Sequence, residues 1–181
     1  MKNITTALMC FSFTITIFAQ NDICTDAISV SCGDSVTGTT VGATSTGAPT
    51  ASCGTTSGAP GVWYEFTGTG QDITFSLCGS SYDTKIQVYS GDCSDLICVD
   101  GNDDSCSTQS EVSITSLENE SYFVYVFGWS SSVGDYTLDV SCEDAPEPPA
   151  CGDTIFDSGG ASGNYGNNEL ITVTVFPENT G

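Results

Sequence analysis

The sequence predicts an all-β protein whose main domain is an antiparallel jelly-roll or β-sandwich stapled by disulfides. Between residues 21 and 142, short runs of alternating apolar and polar residues are separated by turns rich in Gly, Ser, Thr and Asp, and no helical periodicity interrupts them. The same region holds eight cysteines, an even set suited to four bridges. A core of about 120 residues is enough for one such domain, and disulfides would supplement it.

Residues 1–20 are interpreted as a secretory signal peptide. Lys2 gives a positive start, residues 7–18 form an apolar run, and Ala19 offers a small residue for cleavage. The run is too short to span a bilayer and no later segment is longer, so no membrane insertion is expected. The protein is therefore predicted to be secreted, either extracellular or at the cell surface.

The predicted strands follow one another from residue 61 to residue 140. Residues 122–127 are apolar at every position, which predicts a central strand buried on both faces. Residues 33–61 are rich in small residues and predict one poorly patterned strand around 39–41, then a long surface loop pinned by Cys53. The inward-facing residues of the other strands are predicted to be Val62, Tyr64, Phe66, Ile73, Phe75, Leu77, Ile86, Val88, Val112, Ile114, Tyr136, Leu138 and Val140.

The cysteines of an exported chain indicate disulfides rather than metal thiolates. No pair of C-x-x-C motifs occurs, so a structural zinc site is not expected. Spacing favours a Cys93–Cys98 bridge and is compatible with Cys24–Cys32, while the remaining pairings and the partner of Cys151 stay open. The eight predicted disulfide cysteines are Cys24, Cys32, Cys53, Cys78, Cys93, Cys98, Cys106 and Cys142.

A domain boundary is predicted at residues 143–150, which are acidic and proline-rich and therefore extended. A second module then begins at Cys151 and contains an alternating strand at 171–175. Residues 151–181 are too few for a two-sheet sandwich, which takes roughly 100 residues. The chain is therefore interpreted as a piece of a longer protein.

The charge balance excludes several classes of function. The chain carries 23 acidic residues against two lysines, with neither arginine nor histidine, and Lys85 is the only cation after the leader. Nucleic-acid binding is not expected, because it needs basic side chains to neutralise phosphates. Histidine-dependent nucleophile pairs and H-E-x-x-H zinc sites are also ruled out, so the chain is predicted not to be an enzyme.

A calcium site is predicted around one acidic segment. Asp100, Asn102, Asp103 and Asp104 surround a glycine in a segment bounded by two cysteines, and Asp83 lies in a different predicted turn. Hard oxygen donors on flexible turns are the ligands that Ca²⁺ prefers. The alternative is that these residues only cap turns, with their charges solvated.

Aromatic residues at strand ends are candidates for ligand contact. Trp129 precedes three serines at the end of a predicted strand, and Tyr82 lies in a turn. Exposed rings of this kind bind sugars or partner proteins. The alternative is core packing, which is favoured for Trp63 and Tyr125.

Five segments of residues 21–142 together carry a family resemblance. They are N-D-I-C-T-D-A (21–27), G-V-W-Y-E-F-T-G-T-G (61–70), S-Y-D-T-K-I-Q-V-Y-S-G-D-C (81–93), C-V-D-G-N-D-D-S-C (98–106) and G-D-Y-T-L-D-V (134–140). In this order they resemble the pre-peptidase C-terminal (PPC-like) domains of exported bacterial proteins. The resemblance implies a jelly-roll-like accessory domain that binds a ligand or supports a neighbouring catalytic domain, and it implies no reaction.

Residues 151–181 begin with Cys-Gly at Cys151, continue through turns at 158–160 and 163–165, and reach the predicted strand at 171–175. This series resembles the opening of a CUB domain, which would make these residues the truncated start of a second β-sandwich. Phe176 stands where many members of that family have the cysteine that pairs with the first.

The function expected from the sequence is non-catalytic recognition. A secreted binding or adhesion protein would use these modules to recognise an extracellular glycan or protein, with Ca²⁺ as the candidate cofactor. The alternative is the N-terminal accessory region of a secreted hydrolase, acting on peptides or polysaccharides, whose catalytic domain lies beyond Gly181. A further alternative is a structural spacer of the cell envelope.

Overall fold

The computed structural model describes residues 21–144. The predicted signal peptide, most of the predicted linker and the CUB-like segment lie outside these residues. Within residues 21–144, no helix is long and apolar enough to cross a membrane. One 3₁₀ turn, Cys24–Asp26, precedes nine strands: β1 (Ile28–Val30), β2 (Ser35–Thr39), β3 (Gly61–Thr67), β4 (Asp72–Ser76), β5 (Thr84–Asp92), β6 (Asp95–Asn102), β7 (Glu111–Thr115), β8 (Ser121–Gly128) and β9 (Asp135–Glu143).

The strands form two sheets, as expected for a β-sandwich. The five-stranded sheet has the order β1-β3-β8-β5-β6, and the four-stranded sheet has the order β2-β9-β4-β7. Strand β8 is central and antiparallel to both β3 and β5, which confirms the central strand predicted at residues 122–127. All pairs are antiparallel except β1, which lies parallel to β3.

The main core lies between the two sheets. All the inward-facing residues predicted from the alternating pattern are buried in it. Two buried tyrosines link β3 to β9, because the hydroxyl oxygens of Tyr64 and Tyr136 are 2.6 Å apart. Burial raises the pKa of both phenols, so they stay protonated hydrogen-bonding groups.

A second cluster covers the outer face of the five-stranded sheet. Trp63, Tyr89, Phe123, Tyr125 and Phe127 project from this face and are buried, which confirms the interior placement expected for Trp63 and Tyr125. The loop between β2 and β3 lies over them, and the indole Nε1 of Trp63 donates to a loop carbonyl 2.9 Å away. This cover explains why β8 is apolar on both faces.

Three strands differ from the sequence expectations. Strand β1 was not predicted, and β2 ends at Thr39, where the predicted strand began. Strand β6 extends to Asn102, so the first part of the predicted acidic loop is extended backbone paired with β5. The Asp and Gly residues of β6 are typical of turns, but sheet pairing overrides that local preference.

Four disulfides join all eight predicted cysteines, but the predicted Cys93–Cys98 and Cys24–Cys32 pairings are wrong. Cys93 lies in the turn after β5, and an extended strand of about 10 Å leads from that turn to Cys98, too far for a bridge. Strand β1 similarly separates Cys24 from Cys32. The bridges are Cys24–Cys93, Cys32–Cys142, Cys53–Cys98 and Cys78–Cys106.

Candidate functional site

Three strand ends meet at one end of the five-stranded sheet. Strand β5 begins there, and its antiparallel neighbours β6 and β8 end there, with Thr84 opposite Gly128. The residues that flank these ends therefore come together although they are distant in sequence. The backbone N–H of Trp129 donates to the carbonyl oxygen of Asp83, 3.1 Å away, and joins the two segments.

This junction gathers three of the predicted calcium ligands. Asp83 precedes β5, and Asp103 and Asp104 follow β6; one carboxylate oxygen from each lies within 4.8 Å of the others. We call these residues the acidic triad. Lys85 lies beside them, with its Nζ 3.0 Å from the Oδ2 of Asp103 and 2.8 Å from the hydroxyl of Thr56.

Lys85 is buried although it is charged, with its side chain only 5% exposed, whereas the side chain of Asp103 is 35% exposed. A buried ammonium needs a counter-charge, and Asp103 supplies it. Partial burial raises the pKa of the Asp83 carboxyl, Asp103 and Asp104 raise it further by repulsion, and Lys85 opposes both effects. The junction is therefore an electrostatically coupled group and not a set of independent surface charges.

The acidic triad offers oxygen donors of the kind that Ca²⁺ binds. The Oδ1 atoms of Asp83 and Asp103 are inaccessible to solvent and have no hydrogen-bond partner within the described residues. Three carboxylates fall short of the six to eight oxygens that Ca²⁺ takes, so backbone carbonyls or water would have to supply the rest. Calcium binding at this junction stays a prediction.

Two predicted calcium ligands lie apart from the acidic triad. Asp100 is exposed on β6, and its Oδ1 accepts from the N–H of Gly101 at 2.8 Å. The Oδ1 of Asn102 accepts from the N–H of Glu111 at 3.3 Å, which links β6 to the start of β7. Both side chains are held in local hydrogen bonds because β6 continues through these positions.

Trp129 lies at the rim of an open cleft beside the acidic triad. Its side chain is 55% exposed, the highest value among the aromatic residues of the described chain. The cleft has a volume of about 560 Å³. We call it the tryptophan cleft, and the residues that line it are Ser52, Gly54, Thr55, Thr56, Lys85, Asp103 and Trp129.

The other aromatic candidate, Tyr82, is partly buried. Its ring packs against Gly128 and Gly134, where an added Cβ would lie within about 3 Å of ring carbons. Its hydroxyl is 3.2 Å from that of Thr40, and burial raises its pKa to about 12. Tyr82 thus supports the turn that carries Trp129 and is less available for contact than Trp129.

Lys85 and Thr56 are the members of the junction that sequence reasoning missed. Lys85 lies at an outward-facing position of β5, where the alternating pattern predicts a charge exposed to solvent. Only its rarity could have indicated a special role, because Lys85 is the only basic residue among residues 21–144. No sequence pattern around Thr56 predicts its position. The loop between β2 and β3 is held on the sheet by contacts between residues distant in sequence, such as the hydrogen bond from the side-chain amide of Gln87 to the carbonyl oxygen of Thr55.

The fold and the junction define a disulfide-linked β-sandwich domain with an open cleft at one end of its five-stranded sheet. No protein-family model matches the sequence, and no curated protein matches it. Four disulfides are typical of proteins from an oxidising, non-cytoplasmic compartment.

The solved structures that are similar to this chain include two bacterial proteins. The pre-peptidase C-terminal domain of a collagenase from Bacillus anthracis is 12% identical, with a TM-score of 0.44, and the match covers 64% of this chain and 94% of that one. PliG, a periplasmic inhibitor of g-type lysozyme from Aeromonas hydrophila, is 14% identical, with a TM-score of 0.38, and the match covers 65% and 97%.

Proposed function

We propose that residues 21–144 form a non-catalytic recognition module of a secreted protein and that the tryptophan cleft binds carbohydrate. The observation that carries this proposal is the exposed indole of Trp129 beside a cleft lined with hydrogen-bonding groups. Leaving a large apolar ring in water is unfavourable, and such rings concentrate where a ligand covers them.

The chemistry of the lining suits a sugar ring. The apolar face of a pyranose stacks on indole, while its hydroxyls need donors and acceptors at the ring's edge. Thr55 and Thr56 supply hydroxyls, and Asp103 supplies one carboxylate oxygen, Oδ2, because its Oδ1 is inaccessible to solvent. The cleft is open, which fits the side of a polymer better than a small enclosed molecule.

The same groups support a binding role and not a catalytic one. The ammonium of Lys85 is engaged by Asp103 and Thr56, so it is not poised as a free nucleophile. The chain also has no histidine to act as a general base near neutral pH.

The test is binding of the full chain to a panel of insoluble and soluble polysaccharides, compared with the Trp129→Ala variant. We expect at least one polysaccharide to bind and the variant to lose affinity by roughly thirtyfold, the loss typical of a central aromatic contact. Val133→Ala is the matched control, because Val133 is an exposed apolar residue of the same turn. Binding that survives Trp129→Ala, or a panel that yields no ligand, would contradict the proposal.

A further inference from the structure

Strand β6 forms a long open edge of the five-stranded sheet. It has eight residues and pairs on one side with β5. On its other side no strand of the described chain is paired with it. Between Leu96 and Val99, the backbone groups that point away from β5 have no backbone partner among residues 21–144.

A β-bulge in β6 decides which side chains of this edge share a face of the sheet. Val88 lies opposite Asp100 and Tyr89 lies opposite Cys98, so Val99 is the extra residue of a β-bulge. The bulge brings Asp95, Ile97 and Asp100 onto one face of the sheet. Ile97 is 58% exposed and Val99 is 39% exposed, so the edge offers apolar surface flanked by two carboxylates.

The other edge strands lack this combination. Strand β1 has three residues, and β2 and β7 have five each. Of the four edge strands, only β6 has two exposed large apolar residues, Ile97 and Val99. An edge that is long, apolar and unpaired is a template for pairing with another strand.

We propose that β6 binds an extended basic peptide as a sixth strand of the sheet. Backbone hydrogen bonds along Leu96–Val99 supply affinity, as in other complexes where a peptide extends a sheet. Lysine or arginine side chains of the peptide face Asp95 and Asp100, and an apolar side chain between them covers Ile97. Cross-strand pairs of opposite charge and apolar contacts stabilise this register.

Negative charge disfavours two other partners for the β6 edge, namely a second copy of the chain and residues 145–181 of the same chain. Each chain carries a net charge of −21, so two copies repel each other as their β6 edges approach. Residues 145–181 of the same chain contain five acidic residues and no basic one. A basic partner is therefore favoured over both.

The test measures binding of the full, oxidised chain to the capped peptide Thr-Lys-Thr-Val-Thr-Lys-Thr by calorimetry. We expect binding that weakens at least tenfold when both lysines of the peptide are glutamate, and that disappears when alternate peptide nitrogens are methylated. The Asp95→Asn/Asp100→Asn variant should bind roughly tenfold more weakly. The control Glu118→Gln/Asp139→Asn changes the charge equally at exposed sites elsewhere and should bind normally.

Three results would overturn the proposal. One is equal affinity for the lysine and glutamate peptides, and a second is undiminished binding of the methylated peptide. The third is strong hydrogen-exchange protection of the outward amides of Leu96–Val99 before any peptide is added, because it would show that a second copy or another part of the chain already covers the edge. None of these outcomes concerns Trp129, so failure here is separable from failure of carbohydrate binding.

Discussion

The Lys85→Met variant tests whether the buried ammonium holds the junction together. Methionine keeps most of the side-chain volume and removes the charge. The variant loses the 3.0 Å ion pair with Asp103 and the 2.8 Å hydrogen bond to Thr56. It also leaves the three carboxylates of the acidic triad within 4.8 Å of one another and without a counter-charge.

The magnitude follows from the geometry. Two unit charges 3.0 Å apart attract by roughly 5.5 kcal/mol at an effective dielectric constant of 20. Removing one partner of a fully buried pair costs about 3–5 kcal/mol, after the relieved desolvation is counted. Because the Asp103 side chain is 35% exposed, water screens part of this interaction, and we expect a loss of about 2 kcal/mol at pH 7.

The assay is urea unfolding of the oxidised chain at pH 7, followed by tryptophan fluorescence. Thr56→Val is the matched control, because it removes only the hydroxyl partner of Lys85 and should cost under about 1 kcal/mol. An unchanged unfolding free energy of Lys85→Met, or a loss no larger than that of Thr56→Val, would refute the role assigned to Lys85.

Two further predictions concern the acidic triad. The folded-state pKa of Asp83 is raised, so its ionised form opposes folding; stability is lowest above that pKa and recovers as pH falls through it. Asp83→Asn should therefore raise the free energy of unfolding at pH 7 and have no such effect at pH 2, and a variant less stable than wild type at pH 7 would contradict this. Calcium at 10 mM, with a dissociation constant of about 1 mM, should stabilise the chain by roughly 1.4 kcal/mol at constant ionic strength. Chelation should reverse the gain, and an unchanged melting temperature would exclude the site.

The sheets were predictable from sequence because their signal is local. Buried and less buried side chains alternate with period two along β4, β7 and β9, so the buried face of each of these strands is visible in its own residues. Strand β8 was recognisable for a different reason, since an unbroken apolar run has to be covered on both faces. What covers its outer face, the loop between β2 and β3, carries no period and was not predictable.

The junction and the bridges were harder to predict because they depend on pairing over long sequence distances. Asp83 and Asp103 are brought together by the register of β5 with β6, and that register includes a bulge at Val99 that no local pattern signals. The disulfide pairing depends in the same way on which strands neighbour one another. Spacing therefore favoured a short Cys93–Cys98 loop, although an extended strand keeps those two residues apart.

The Cys32–Cys142 bridge sets how the domain responds to tension. Its two cysteines are separated by 110 residues in the sequence. A force applied at residues 21 and 144 passes through this covalent link, so the strands between the two cysteines carry almost none of the load. Reduction of this bridge would place the strands between Cys93 and Cys142 under the load, while the Cys24–Cys93 bridge would continue to shield the strands before Cys93.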